Sequence, residues 1–248
     1  MKYNVYHSPW PIILAFNLGF TLINLLNSGI KFFLSLLLIL IIIFVWSLDF
    51  YLENKSGKYG NLIKLSLKWA FSMFLLTETM YFAALFWCLI SNMFNPSLTY
   101  WPPVDFGSES ILIPSLGTVL LIGSSISATA GHHYYNLGKI LISNFFLLVT
   151  ILMGVAFLGF TGLEFYVNNF TISDGIYGSI VYMLLGTHLI HVVLGLICLI
   201  VSPSGLCREY AIYYWHYVDT VWLFVYSLIY IFSSSYDVTG MENVALLL

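Results

Sequence analysis

The sequence predicts an all-α integral membrane protein of seven transmembrane helices, and three observations carry that prediction. Hydrophobic residues make up 60% of the 248 and charged residues only 8%, with a mean hydropathy of +0.93, against roughly 25% charged in an average soluble domain. Apolar runs cover about 10–28, 31–51, 69–93, 111–131, 140–163, 175–202 and 211–235, each near the ~20 residues that span a bilayer. Cations then fall on alternate connectors: Lys2, Lys55, Lys58, Lys64, Lys68, Lys139 and Arg208 on one side, Lys31 alone on the other. Asp105, Glu109, Asp174, Asp237 and Glu242 gather on the opposite side. That asymmetry is a positive-inside signal requiring an odd number of spans. It places the amino terminus in cytoplasm or matrix and the carboxyl terminus outside.

The first run carries Asn17, Thr21, Asn24 and Ser28 at intervals of four, three and four. This polar stripe on one helix face is costly against hydrocarbon and reads as a helix contact. Asn27-Ser28-Gly29 turns the chain tightly into the second run, which ends at Asn54-Lys55-Ser56-Gly57. These two runs form a hairpin able to stand partly apart from the other five. The third run holds one charge, Glu78, near its middle, and closes at Asn95-Pro96 before Trp101-Pro102-Pro103. A carboxylate there must be protonated, paired or wetted, which makes it a functional-site candidate by default, a structural hydrogen bond being the plainer alternative. Burial favours its neutral form, hydrogen-bonded to a helix or lipid group.

Gly123, Ser127 and Gly131 repeat every four residues in the fourth run and read as a seam for close helix approach rather than a ligand site. His132 and His133 follow at its end and point apart, an interfacial or headgroup-contacting pair. The fifth run ends at Glu164, and Ser173-Asp174-Gly175 leads into the sixth, where His188 and His191 share similar faces. Ser202-Pro203-Ser204-Gly205 precedes the seventh, headed by Tyr213, Tyr214, Trp215, His216, Tyr217, Asp219 and Trp222. His216 and Asp219 are spaced for an imidazole–carboxylate contact, although neighbouring helices could equally supply the partners. His188, His191, Asp219 and Glu164 are expected to make polar contacts between helices.

Several function classes fall away. The net charge of −3 lies almost wholly in short loops, so nucleic acid is not an expected partner. Cys88, Cys198 and Cys207 form no CxxC pair or disulfide framework, and a thiolate-held copper pair lacks its ligands. A haem held by His191 and His216 is the metal reading that remains in principle. No nucleophile–base set, phosphate loop or metalloprotease motif is present. A secondary transporter would favour internal repeats and broken helices, and none is evident. Neither a cleavable signal nor an Arg-rich, Ser-rich transit peptide begins the chain, as expected of a bacterial protein or one made inside an organelle.

Longer motifs then resemble a known family. Phe170-Thr-Ile-Ser-Asp-Gly-Ile-Tyr-Gly-Ser179, Gly186-Thr-His-Leu-Ile-His-Val192 and Tyr214-Trp-His-Tyr-Val-Asp-Thr-Val-Trp-Leu-Phe-Val-Tyr226 are similar to the motifs of cytochrome c oxidase subunit III. His7-Ser-Pro-Trp-Pro11, Trp101-Pro-Pro103, Gly131-His-His133 and the Lys68–Glu78 segment match in order, with Lys68 where the family usually has Arg. The resemblance runs over nearly the whole chain.

The resemblance implies a single subunit III domain over 1–248, its hairpin (about 10–51) and five-helix bundle (about 69–235) separated by a lipid-binding cleft. It implies a core, non-catalytic subunit of the respiratory-chain oxidase that reduces dioxygen with electrons from cytochrome c and pumps protons, or of a quinol-oxidising relative. No metal or haem is expected in this chain. Haem a, haem a3 and the copper centres belong to partner subunits I and II, and structural phospholipids, accessory subunits and a respiratory supercomplex are the implied surroundings. The implied role is to support proton uptake and a lipid-lined oxygen approach in subunit I. Glu78 matches the family's buried acid, and His7, Trp10, Lys68, Trp69, His216 and Tyr217 match cleft or headgroup positions. The compact loops favour the mitochondrial inner membrane, with a bacterial plasma membrane as alternative. The 202–209 connector is shorter than usual and lacks a histidine-rich stretch, and the segment after Pro103 lacks a Gly-Ile, so the resemblance carries no accessory-subunit contacts over to these segments.

Overall fold

The structure, a computed structural model, describes residues 8–26, 29–57, 60–95, 101, 112–201 and 206–232. His7, Lys2, Ser28, Lys58, Pro102, Pro103, the 202–205 turn and the acids Asp105, Glu109, Asp237 and Glu242 lie outside these residues. Seven α-helices and no strand occur among the described residues: α1 (Trp10–Leu26), α2 (Ile30–Lys55), α3 (Asn61–Phe94), α4 (Leu112–Asn136), α5 (Ile140–Val167), α6 (Gly175–Val201) and α7 (Leu206–Tyr226). A π-helical turn, Ser227–Phe232, continues α7. Five helices, α2 to α6, are long and apolar enough to cross a membrane. Helix α1 is as apolar but has 17 residues, about 26 Å at 1.5 Å per residue against a hydrocarbon core of about 30 Å.

Chain contacts divide the protein into two compact units, Met1–Ala70 and Phe71–Leu248, the break falling within α3. In the first unit α1 packs on α2, and the expected polar stripe is its buried face: Asn17, Thr21 and Asn24 are the residues of α1 removed from the surface. Trp10 Nε1 donates to Asp49 Oδ2 at 3.0 Å and ties the start of α1 to the end of α2.

In the second unit α4 and α5 form an antiparallel pair along the predicted small-residue seam. A Cβ on Gly123 would meet Met153, Ser127 Oγ lies 2.7 Å from Thr150 Oγ1, and Gly131 faces the Ser143 carbonyl and Phe146. Small side chains let the backbones approach, and the hydroxyls pair where water cannot reach them. The connector closes tightly because Gly138 takes φ 75°, with Gly138 N–H donating to Tyr135 O and Lys139 N–H to Tyr134 O.

The turn before α6 explains the residues Phe170–Ser179. Asp174 Oδ2 accepts from the Thr171 amide at 2.7 Å and the Thr171 hydroxyl at 2.9 Å, fixing a closed loop. Gly175 at φ 69° opens the helix, a conformation unfavourable for other residues. Gly178 stands so close to the Thr171 carbonyl that a Cβ has no room. Tyr182 OH then donates to Phe170 O at 2.8 Å, and Trp101 packs edge-on to Tyr177 with centroids 5.1 Å apart.

Helix α7 is the hub. Its aromatic rings meet α3 through Phe71–Tyr210 and Phe74–Tyr214, α5 through Phe157–Trp222, and α6 through Gly195, whose Cβ would lie 2.9 Å from Trp215. Its polar atoms meet α4 in an antiparallel ladder. Trp215 Nε1 donates to Ser124 Oγ at 3.0 Å, Trp222 Nε1 to Thr118 Oγ1 at 3.1 Å, and Tyr226 OH lies 3.1 Å from Ser115 Oγ. An interior helix contacts protein on most sides, so Trp and Tyr can replace the aliphatic residues of a lipid-facing span, provided each N–H and O–H finds an acceptor. That is why α7 falls below the hydropathy of the other spans.

Helix ends differ from the sequence reading by a few residues. Helix α3 begins at Asn61 rather than near 69, so Lys64 and Lys68 are helical, and α4 runs on to Asn136, carrying His132 and His133. Helix α7 starts at Leu206 rather than 211. Arg208, counted above as a connector cation, is therefore in its first turn, and it is only 1% exposed.

Candidate functional site

Glu78 projects from the middle of α3 toward His191 of α6. Glu78 Oε2 and His191 Nε2 are 2.8 Å apart, and the other imidazole nitrogen, Nδ1, is 2.7 Å from the Thr187 carbonyl oxygen. A carbonyl only accepts, so Nδ1 carries a hydrogen. One further proton is then shared between Nε2 and the carboxyl: either Glu78 donates O–H to a neutral ring, or an imidazolium donates to the carboxylate. Of the three conditions open to such an acid, protonated, paired or wetted, the structure places an imidazole partner beside it. Phe82, one turn on, packs edge-on to the His191 ring at 5.0 Å and holds its plane.

The pair is not sealed. Glu78 keeps 25% and His191 13% of their side-chain surface, and both face an open groove of about 430 Å³ with Thr77, Tyr81, Thr187 and Ile190. An acid and a base share a proton at the wall of a cavity lined mostly by apolar surface.

The remaining expected contacts resolve as follows. His188, 1% exposed, has Nε2 at 3.2 Å from the Val218 carbonyl and stacks near Trp222, a packed contact between α6 and α7. Glu164 accepts a short hydrogen bond from Tyr230 OH in the π-helical turn. His216 has its hydrogen-bond partners on α4: its Nδ1 is 2.6 Å from Ser125 Oγ and its Nε2 3.4 Å from Thr129 Oγ1. Asp219 is buried in a cavity of about 250 Å³ beside Ser125 and His216. Trp10 is held by Asp49 in the first unit, where Lys68 and Trp69 are exposed on α3. Tyr217 is half-buried on α7 against the Tyr214 ring. Both ring nitrogens of each histidine are engaged, those of His191 by Glu78 of α3 and Thr187 of α6 and those of His216 by Ser125 and Thr129 of α4, which argues against the two ligating one haem. Among the described residues no group of three or more His, Cys, Asp or Glu is placed to hold a metal ion.

Arg208 is the residue that sequence reasoning missed. Its guanidinium donates to Asn144 Oδ1 at 3.0 Å, Ser143 O at 3.1 Å and Ser143 Oγ at 2.7 Å, and its Cζ lies 4.9 Å from the Tyr135 ring centroid. It thereby joins α4, α5 and α7. Arg208 falls on the same side of the alternation as Lys139 and the lysines before α3, so nothing in the local pattern separates this cation from the topology cations.

Together these features define a polytopic α-helical membrane subunit with an acid–imidazole pair on a groove and a bundle organised around an aromatic helix. The profile of the family "Cytochrome c oxidase subunit III" matches residues 2–234. The chain is 35% identical over 246 residues to cytochrome c oxidase subunit 3 of Triticum aestivum, covering 90% of this chain and 93% of that protein. It is 33% identical to the same subunit of Rhipicephalus sanguineus (93% and 99% covered) and 32% to that of Mus musculus (90% and 94%). The chain belongs to the cytochrome c oxidase subunit III family, membrane subunits of a terminal oxidase.

Proposed function

We propose that this chain is a cofactor-free core subunit that supports proton uptake into the oxygen-reducing subunit I and provides it with a lipid-lined approach for dioxygen. It does so in the mitochondrial inner membrane, with its amino terminus in the matrix. Haem and copper reside in subunits I and II. The observation that carries the reading is the Glu78–His191 pair on an open, largely apolar groove. A protonatable pair at lipid depth has a cost that a purely structural helix contact avoids, and the groove beside it suits acyl chains or a small apolar gas. His188, Glu164 and the α4–α7 ladder hold the helices that aim it.

Two measurements test this. A hydrophobic carbodiimide added to the intact oxidase should label Glu78 selectively from the membrane phase; equal labelling of the loop acids would remove Glu78 from its proposed place. Stripping this subunit from the complex should slow proton uptake while haem and copper spectra stay intact. Loss of a haem band with this chain would overturn the cofactor-free assignment. Intact-complex mass spectrometry would name the neighbouring subunits and retained lipids.

A further inference from the structure

A second polar site lies far along the bundle from Glu78, where α4 ends and α7 begins. A cavity of about 160 Å³ is lined by His132, Tyr135, Asn136, Arg208 and Glu209. Its charges are separated: the Arg208 guanidinium, fixed by Ser143 and Asn144, forms one wall, and the Glu209 carboxylate, which accepts from Tyr213 OH at 3.2 Å, forms another. His132, with Nε2 3.2 Å from Asn136 Nδ2, and Asn136 itself add polar groups beside Arg208.

The same two helices carry an apolar counterpart deeper in the membrane. The cavity of about 250 Å³ between α4 and α7 is walled by Leu121, Ile122, Ile126 and Leu223 around Ser125 and Asp219. Ile126 is 67% exposed beside it. From His132 to Ile122 is ten residues, about 15 Å along the helix. His216 lines this second cavity and reaches Ser125 and Thr129 of α4. A pocket with separated charges at the span ends, with a mainly apolar cavity an acyl chain's reach further along the same two helices, is amphipathic in the sense that a phospholipid is.

We propose that this α4–α7 groove binds one phospholipid with a zwitterionic, primary-amine headgroup, its phosphate facing Arg208, His132 and Asn136, its ammonium facing Glu209, and an acyl chain lying over Ile126, Ile122 and Leu223. Opposite charges on the two walls favour a zwitterion over a purely anionic headgroup, and the aliphatic walls further along the same helices favour a lipid over free phosphate. The site is separate from the Glu78 groove, and its failure would leave the proposed function untouched.

The test uses the whole oxidase, reconstituted with phosphatidylethanolamine bearing a photoactivatable acyl chain. Label should map to the Ile122–Ile126 and Leu223 peptides. It should fall about tenfold in Glu209→Gln, the scale of one charge-assisted contact, and in Ile126→Trp, which fills the groove without touching Arg208. Excess inorganic phosphate should leave it in place. Labelling unchanged in both variants means ordinary boundary lipid and overturns the proposal, as does displacement by inorganic phosphate, which means an anion pocket only. A cross-link from these residues to a neighbouring subunit overturns it too, because a protein helix then fills the groove. Matched losses with phosphatidylglycerol in place of phosphatidylethanolamine would refute the amine contact.

Discussion

The Glu78 carboxyl and the His191 imidazole, 113 positions apart in sequence, meet at 2.8 Å through Nε2, while the other ring nitrogen, Nδ1, donates to the Thr187 carbonyl. Each group satisfies the other in a setting with little water, so removing either leaves a half-buried polar atom without its partner. Glu78→Gln keeps a hydrogen-bonding amide and should preserve assembly, whereas Glu78→Ala or His191→Ala should each cost about 1–3 kcal/mol. The double variant should cost less than the sum of the singles, because the same interaction is lost twice. Denaturant titration of the assembled complex checks this. Additive losses, or collapse of assembly in Glu78→Gln, would show that the pair is not the unit described.

Trp215 and Ser124 give a second, independent check on the α4–α7 ladder. The indole N–H donates to Ser124 Oγ at 3.0 Å, with the Trp215 ring fully buried. Ser124→Ala should cost about 0.6 kcal/mol and no more than about 1.7, the average and the maximum for hydrogen bonds between membrane helices. Trp215→Phe should cost more, since it also empties space beside Gly154 and Gly195. Thermal unfolding in a fixed detergent, read by near-ultraviolet dichroism, separates the two. A Ser124→Ala variant as stable as the parent would mean that the ladder contributes shape alone.

What the sequence made legible, and what it hid, follows from range. Spans α2 to α6 were legible because bilayer thickness imposes their length locally. The seam at Gly123, Ser127 and Gly131 was legible because helical period fixes one face. Glu78 stood out because a single charge in such a run is costly. Its partner was not legible: the run itself asks only for a helix or lipid group beside the acid, and the packing of α3 against α6 supplies His191. Arg208 was hidden for another reason. A cation near a helix start reads as a topology signal, and only the fold shows that Ser143, Asn144 and Tyr135 enclose it. The π-helical turn after Tyr226 left no mark in composition, although it brings Tyr230 to Glu164.

That contact makes its own prediction. Glu164 is 7% exposed and Tyr230 3%, with the phenol donating to the carboxyl. Tyr230→Phe keeps the ring and removes only the donor, leaving a buried carboxyl short of one hydrogen bond, at about 1–3 kcal/mol. Combining it with Glu164→Leu, which removes the acceptor as well, should recover much of that loss. Complex lifetime during heating is a suitable readout. Equal lifetimes for parent and Tyr230→Phe would mean that the hydroxyl does not stabilise the turn.

The packing around α7 can be tested at glycines. A Cβ on Gly154 would stand 2.7 Å from Trp215 and 2.8 Å from Leu196, and one on Gly195 2.9 Å from the same indole. Trp215 is held from both sides and tethered to Ser124, so it cannot yield to either. Gly154→Ala and Gly195→Ala should therefore destabilise by about 1–3 kcal/mol through overpacking. Gly159 and Gly186 sit on the same two helices with nothing within 4 Å of a Cβ. Alanine there should be neutral or slightly stabilising, as helix propensity favours it by up to about 1 kcal/mol. Thermal midpoints of the four variants, measured in the assembled oxidase, compare clash with propensity directly. A loss at Gly159 or Gly186 as large as at Gly154 would show that glycine is required along these helices for a reason other than the close approach of Trp215.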